Sequence, residues 1–418
     1  MPDIILNGKT YTGIDKMTAP LADGSGEVEF SEGGGSGGSA YPNGKEWTKC
    51  AIGSSDNMLG YMVDIVKVKN VWVGFGYGGL WYSTDGKEWV QAVDSTGETL
   101  SCWFNCVVYA NGLFVAASDY EGTGIYYSTD GVTWTQSNIT SGGAMSLIYE
   151  KGIWLASHYG GGFLNVSYSL DGKTWTNVNA GGYCYDFAYG GGVFVVTSGS
   201  YGIFYSEDGK TWTQSNITDL TYVRAIAYKN GVFVFGSCRN DAGLYYSEDG
   251  KTWTQSNITS GKFDTVKYVD HLWFASDSTN LTGIYYSTDG ITWTQSNITS
   301  GSINEDLCCN NGLFVVAMSN GLFYSMDGKT WTQSNIADVN IMSVLCGCGK
   351  WVALSETSSY YSDDGKTWEA LSVTSQMSFI IVRYVDGIWY IISIDILDES
   401  TYEMYSTLYY SLAYEYAT

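Results

Sequence analysis

The stretch YSTDGVTW at residues 127–134 is the unit from which the fold of this chain follows. The pattern Tyr-Ser-x-Asp-Gly-x-x-Trp occurs eight times between residues 82 and 368. Its Asp-Gly pair predicts a tight two-residue hairpin turn with positive φ at both positions. The serine and aspartate side chains are expected to bind backbone N–H groups of that turn. The motif therefore predicts a hairpin that recurs along the chain.

The motif tryptophan recurs every 37 to 45 residues, which is the length of a four-stranded propeller blade. Counting one without the full motif, these tryptophans are Trp47, Trp89, Trp134, Trp175, Trp212, Trp253, Trp293, Trp331 and Trp368. A second aromatic column falls in the second strand of each unit, at Trp72, Phe114, Trp154, Phe194, Phe233, Trp273, Phe314, Trp351 and Trp389. We predict an all-β fold: one closed β-propeller of about nine blades over residues 41–418, with strands A (innermost) to D.

The ninth unit is divided between the two ends of the propeller sequence. LYYS at residues 408–411 has the pattern of a C strand but is followed by no motif tryptophan. NGKEW at residues 43–47 has the pattern of a turn and D strand but is preceded by no C strand. We predict that residues 43–50 supply the outer strand of the last blade, so that the ring has no open edge.

The repeat resembles the Asp-box, or bacterial neuraminidase repeat, of sialidases, related glycosidases, sortilin-type receptors and photosystem assembly factors. One residue fewer separates the aspartate from the tryptophan here than in the common form. The resemblance implies a propeller but little about function. We expect a structural role in the turns for Asp85, Asp130, Asp171, Asp208, Asp249, Asp289, Asp327 and Asp364. The sialidase arginine triad is not matched, because the first 223 residues contain no arginine.

Residues 1–40, which precede the repeat, do not follow its sequence pattern. We expect a small β module or leader at 1–32, a Gly/Ser linker at 33–40 and the propeller at 41–418. Residues 10–30, TYTGIDKMTAPLADGSGEVEF, resemble the openings of bacteriophage tail and baseplate proteins. The resemblance implies a virion tail or another extracellular surface assembly, with contacts to other subunits through residues 1–40.

Charge and composition exclude several classes of partner. The net charge is −23 and the chain has three arginines, so the basic surface that nucleic acid requires is not expected. No apolar run approaches the roughly 18 residues of a membrane span, and the first residues lack signal-peptide features. The nine cysteines do not recur at one repeat position, so we expect reduced thiols rather than a disulfide framework. No metal or other cofactor is expected.

The repeats differ at the start of strand A and in the B–C loops, which lie on one face of a propeller. Trp103 is the one tryptophan that fits no repeat column. Aromatic rings beside polar groups suit sugars, whose C–H faces stack on the rings. The candidate ligand-binding residues are Trp103, Asn105, Tyr183, Tyr185, Asp186, Tyr222, Arg224, Arg239 and His158.

We therefore predict a non-catalytic recognition protein for a glycan or protein receptor. One alternative is a glycoside hydrolase that uses channel carboxylates from Asp64, Asp186, Asp264, Glu305 and Asp306. A protein-binding assembly scaffold is another alternative. A further alternative is that the candidate side chains bind no ligand and only fill a wide channel.

Overall fold

A computed structural model describes residues 4–6, 9–11, 16–20, 27–31, 47–52, 62–76, 78–118, 124–159, 166–180, 182, 184–199, 201–218, 220, 223, 225–237, 242–277, 282–374, 378–398 and 403–412. Within these ranges, no helix is long and apolar enough to cross a membrane. The chain divides into two units, Met1–Tyr41 and Pro42–Thr418.

The first unit contains two antiparallel strand pairs. Ile4–Leu6 pairs with Lys9–Tyr11, and Lys16–Pro20 pairs with Glu27–Ser31. The linker predicted at residues 33–40 lies outside the described residues.

The second unit is a β-propeller of nine blades, as the repeat predicts. Each blade is an antiparallel sheet in the order A-B-C-D. From blade 1 to blade 9 the A strands are Met62–Val68, Phe104–Ala110, Gly143–Glu150, Cys184–Gly190, Ala225–Lys229, Phe263–Val269, Ile303–Asn310, Ile341–Gly347 and Ser378–Val385. The B strands are Val71–Gly76, Leu113–Ser118, Ile153–Tyr159, Val193–Ser198, Val232–Gly236, Leu272–Asp277, Leu313–Met318, Lys350–Ser355 and Ile388–Asp398.

The outer half of each blade comes from its C and D strands. The C strands are Gly79–Ser83, Ile125–Ser128, Val166–Ser169, Gly202–Ser206, Leu244–Ser247, Ile284–Ser287, Gly321–Ser325, Ser358–Ser362 and Glu403–Leu412. The D strands of blades 1 to 8 are Glu88–Gln91, Thr133–Gln136, Trp175–Val178, Thr213–Gln214, Thr254–Gln255, Thr294–Gln295, Thr332–Ala337 and Glu369–Thr374. Two short strands, Ala51–Ile52 and Val93–Asp94, add in parallel to the D strands of blades 1 and 2.

The ninth blade is completed by the N-terminal end of the propeller, which confirms the split-blade prediction. Its D strand is Thr48–Lys49, paired antiparallel with Tyr409 and Tyr410. The N–H of Cys50 donates to the carbonyl of Leu408 at 2.8 Å. The first and last segments of the ring are thus held in one sheet.

Polar contacts also join blade 9 to blade 1. The guanidinium of Arg383 donates to both carboxylate oxygens of Asp64, with distances of 2.5 and 3.1 Å. The Tyr390 hydroxyl donates to the carbonyl of Gly86 at 3.1 Å. A charged fork-to-carboxylate pair is among the stronger hydrogen-bonded contacts in proteins. Ring closure therefore has its own specific interactions.

The core consists of apolar clusters that lie between neighbouring blades. In one of them Val73 and Phe75 of blade 1 pack with Val107 and Phe114 of blade 2. The Phe114 ring lies 6.1 Å from the ring of Trp134, centroid to centroid. Fully burying one such side chain stabilises the fold by about 1.5–3 kcal/mol. The two aromatic columns in the sequence are therefore core columns.

The predicted two-residue geometry of the motif turn is wrong, although its hydrogen bonds are confirmed. In blade 2 Gly131 has a φ of 76° whereas Asp130 is not in the positive-φ region. The Asp130 carboxylate accepts the N–H groups of Val132 and Thr133, both at 2.9 Å, and the Ser128 hydroxyl at 2.9 Å. The Asp130 carboxylate accepts N–H groups two and three residues further along the chain, and this requires a longer loop than a two-residue hairpin turn.

The two-residue turns with positive φ join strands A and B instead. Asn111-Gly112 has φ values of 51° and 78°, and Asn230-Gly231 has values of 51° and 87°. These values match the primed turn that suits the twist of a hairpin.

We expect that Asp208→Ala will lower the free energy of unfolding by about 1 kcal/mol or more, because two N–H groups lose their acceptor. Burial by itself raises the pKa of Asp208, but hydrogen bonds from the Thr211 and Lys210 N–H groups and Ser206 hydroxyl lower it overall to about 2. A depressed folded-state pKa stabilises the protein above the unfolded value near 4, and that contribution is lost as the pH falls through about 2. Denaturant melts between pH 6 and pH 2 measure both effects.

Asp208→Asn is the matched control for that substitution. It retains an oxygen acceptor but does not titrate, so its stability should depend less on pH than that of the parent. Equal pH dependence in both proteins would show that Asp208 is not a source of the acid sensitivity.

Candidate functional site

The mouth of the central channel is formed where the A strands begin. In eight of the nine blades, all except blade 5 among the described residues, the A–B pairing shifts register there by a bulge. A bulge leaves a residue out of the regular pairing and re-aims its side chain. Asn105, Met145 and Asp264 lie at this bulge, in blades 2, 3 and 6. The fold thus presents side chains that differ from blade to blade at the mouth.

At the mouth of blades 2 and 3 we define a mouth patch by three residues: Trp103, Asn105 and Met145. Trp103 is 42% exposed and Met145 is 40% exposed. The Asn105 amide donates to the carbonyl of Ala144 at 3.2 Å and lies 3.7 Å from the sulfur of Met145. Trp134 of the motif, by contrast, is completely buried. The structure therefore places Trp103 at the surface, two residues before Asn105 in the chain.

Tyr185 and Asp186 begin the A strand of blade 4, and both are partly buried. The Asp186 carboxylate accepts the Ser146 hydroxyl of blade 3 at 3.2 Å and the N–H of Phe187 at 2.9 Å. Burial raises the pKa of Asp186, and these hydrogen bonds oppose the shift. Asp186 thus joins blades 3 and 4.

Two other channel carboxylates also join neighbouring A strands. Asp64 is held by Arg383, as described above. Asp306 of blade 7 lies 3.7 Å from the Lys267 ammonium and accepts the Ser343 hydroxyl of blade 8 at 2.5 Å. Each of these carboxylates has a place in the contacts between blades. Asp264 is exposed, and the side chain of Glu305 is outside the described residues.

His158 lies in the B strand of blade 3, not in the B–C loop to which the sequence assigned it, and it is buried. Its ring nitrogens are 3.1 Å from the Gly143 carbonyl and 2.8 Å from the Ser167 hydroxyl. Burial lowers the pKa of His158 to about 4, although the bond to Gly143 opposes the shift. This environment suits a core histidine: His158 supports the backbone before Met145 but is itself buried.

The remaining candidates, Tyr183, Tyr222, Arg224 and Arg239, lie outside the described residues. In the described part of the chain, no group of three or more histidine, cysteine, aspartate or glutamate side chains is arranged to hold a metal ion. Met145 was missed by the sequence argument. Its position at the same bulge as Asn105 is the signal that identifies it.

The motif turns lie at the opposite end of the strands from the mouth, because strands A to D alternate in direction. All eight motif aspartates have a pKa below the usual range, since N–H donors outweigh the effect of partial burial. Every one of these carboxylates accepts N–H groups of its own turn.

The repeated phrase WTQSNI, which begins at five of the motif tryptophans, connects neighbouring D strands. The Asn257 amide of blade 5 donates to the carbonyl of Trp293 at 2.8 Å and accepts the N–H of Trp293 at 2.8 Å. We call this two-bond contact the asparagine clamp. It recurs between Asn138 and Trp175, Asn216 and Trp253, Asn297 and Trp331, and Asn335 and Trp368.

The clamp explains why these positions are alike in blades 2, 4, 5, 6 and 7 while the mouth residues differ. Gln255 of the same phrase donates to the Ala242 carbonyl at 2.7 Å, and the Ser256 hydroxyl accepts the N–H of Ile258 at 3.0 Å. Gly243 has a φ of 74°, and a Cβ there would lie 1.9 Å from the Ile258 carbonyl oxygen. The phrase is therefore committed to the scaffold.

Comparison with known proteins identifies the fold and little more. A family model described as the DUF6242 beta propeller domain matches residues 210–340. The computationally designed Ika8 protein is 9% identical with a TM-score of 0.51, over 87% of this chain and 100% of that one. YCF48 from Cyanidioschyzon merolae is 12% identical with a TM-score of 0.43, over 88% and 98% of the two chains. BamB from Moraxella catarrhalis is 7% identical with a TM-score of 0.49, over 89% and 100%. No curated protein matches the sequence.

Proposed function

We propose that this protein is a non-catalytic recognition protein that binds a glycan at the mouth of its channel. The observation that carries the proposal is the mouth patch, where a 42% exposed tryptophan lies two residues before Asn105, whose amide is 3.7 Å from the thioether sulfur of Met145. A sugar ring can stack its C–H face on the Trp103 indole while its hydroxyls bind neighbouring polar groups. The scaffold contacts repeat from blade to blade, but these side chains do not.

The proposal also includes the propeller class and the location of the protein. The motif turn supports membership of the Asp-box class of propellers, and the resemblance of residues 10–30 to phage tail proteins supports a virion tail or another extracellular surface assembly. Residues 1–40 then supply contacts to other subunits. The carboxylates of Asp64, Asp186 and Asp306 all have protein partners, which supports binding over glycoside hydrolysis.

The test begins with a glycan array and continues by calorimetry with the best-bound glycan. We expect that Trp103→Ala will weaken binding by roughly 1–3 kcal/mol, or about 5- to 150-fold, as for an aromatic anchor. Met145→Ala should also weaken binding, by a smaller factor. Stability in denaturant should change little for both, because both side chains are exposed.

Met326→Ala is the matched control, since Met326 is 64% exposed in a motif turn at the far end of the strands. It should leave affinity unchanged. Equal affinities for the parent and Trp103→Ala proteins would overturn the assignment of the mouth patch. Release of reducing ends from the bound glycan would overturn the non-catalytic part and favour a hydrolase.

A further inference from the structure

The position directly before the C strand has the same backbone contact in blades 4 and 7 but a different side chain in each. Tyr201 precedes the C strand of blade 4, and Asn320 precedes that of blade 7. The Gln214 amide of the D strand donates to the Tyr201 carbonyl at 2.8 Å. In blade 7 the Gln333 amide donates to the Asn320 carbonyl at 3.3 Å. The two positions are therefore structural equivalents.

Both side chains also pack on a glycine that lies two residues before the A strand of the same blade. A Cβ at Gly182 would lie 2.5 Å from Cδ2 of Tyr201. A Cβ at Gly301 would lie 2.7 Å from Oδ1 of Asn320, whose amide also donates to the Ser300 carbonyl at 3.4 Å. A short polar side chain thus completes this turn in blade 7, so the scaffold does not require the aromatic ring that blade 4 has there.

Tyr185 contacts the same end of blade 4. It lies at the A–B bulge, where blades 2 and 3 have Asn105 and Met145. A Cβ at Gly199, directly after the B strand, would lie 2.8 Å from Cε2 of the Tyr185 ring. The rings of Tyr185 and Tyr201 are thus each held against a glycine at the mouth end of blade 4. We call these two tyrosines the blade 4 patch.

The blade 4 patch adjoins the mouth patch through contacts between blades 3 and 4. Ser146 follows Met145 in the chain, and its hydroxyl donates to the Asp186 carboxylate at 3.2 Å. Asp186 follows Tyr185, whose carbonyl accepts the Ser157 hydroxyl at 3.0 Å. Polar groups therefore alternate with aromatic and apolar side chains from blade 2 to blade 4, whereas the core of a protein interface is depleted of charged groups. This alternation favours a sugar ligand, which needs both.

We propose that the blade 4 patch is a second sugar-binding subsite, so that the ligand is an oligosaccharide that reaches from Trp103 to Tyr201. The subsite rests on the proposed function, because it extends the same site. Tyr201 is 53% exposed, although one edge of its ring lies against Gly182. A ring that is already held in place loses little side-chain entropy when a sugar stacks on it.

The experiment takes the best-bound glycan from the array and measures its fragments by calorimetry, from the shortest fragment that binds to the full oligosaccharide. Tyr201→Asn removes the ring and installs the side chain that blade 7 has on the same backbone, so its denaturant midpoint should match that of the parent. We expect this variant to bind the full oligosaccharide about 5- to 30-fold more weakly and the shortest fragment as the parent does. Trp103→Ala should weaken the binding of both.

Two further variants are the matched controls. Tyr201→Phe keeps the ring and should bind the full oligosaccharide nearly as tightly as the parent. Asn320→Tyr places a ring at the equivalent position of blade 7, which neighbours blades 6 and 8 rather than the mouth patch. It should leave every affinity unchanged.

Parental affinity of Tyr201→Asn for every fragment, together with weaker binding by Trp103→Ala, would overturn the second subsite and leave the proposed function intact. An equal loss for short and long fragments would assign Tyr201 to the same subsite as Trp103 and would overturn the extended ligand. A lower denaturant midpoint for Tyr201→Asn would make the ring part of the scaffold, which also contradicts the proposal. Unchanged affinity in both variants would overturn the proposed function as well.

Discussion

Deletion of residues 41–50 is expected to open the ring and to cost the propeller roughly 4–7 kcal/mol of unfolding free energy. The deletion removes Trp47, which packs on the cluster around Trp389, and the loss of a packed tryptophan costs about 3–5 kcal/mol. It also removes the pairing of Thr48–Lys49 with the last C strand, where each hydrogen bond contributes about 1 kcal/mol. Guanidinium melts measure the loss.

The same deletion should make the protein aggregate. The C strand of blade 9, Glu403–Leu412, would present an unpaired edge to other chains. Light scattering during the melt reports this. Deletion of residues 2–40 is the matched control, because it removes most of the first unit and retains the D strand of blade 9. If the two deletions had the same midpoint and scattering, the N-terminal strand would not be what closes the ring.

Trp134→Ala is expected to lower the free energy of unfolding by about 3–5 kcal/mol. The indole is completely buried, its N–H donates to the Gly131 carbonyl at 3.2 Å, and it packs in the cluster between blades 1 and 2. Removal of the indole leaves a cavity that cannot be filled unless strands of both blades move. Guanidinium melts with an unchanged slope would show that the loss is one of stability alone.

Trp103→Ala is the matched control, because it removes the same side chain from an exposed position. It should change the midpoint little. A cost equal to that of Trp134→Ala would make Trp103 a core residue, and the recognition face would then have to be sought in the B–C loops.

The boundaries of the candidate site were less predictable than the fold. Trp103 and Asn105 stood out because they break a repeat, and the structure places both at the mouth, with the Asn105 amide 3.7 Å from the Met145 sulfur. His158 also breaks the repeat, yet it is buried, because a sequence does not show how far a strand extends into a loop. The bulges decide which side chain faces the channel mouth, and a bulge depends on the partner strand.

The sequence by itself determined the number of blades, the split ninth blade and the columns of buried aromatics. These properties follow from local periodicity, since each repeat carries its own strand pattern and turn residues. The tertiary structure alone decided the contacts between blades. From the sequence, the asparagine of WTQSNIT fits either a glycosylation signal or a polar residue of the scaffold. The tertiary structure decides between them, because the next blade brings the Trp293 backbone to Asn257. The pair Asp64–Arg383 likewise joins segments that meet only when the ring forms. Such contacts depend on closure, which no local pattern encodes.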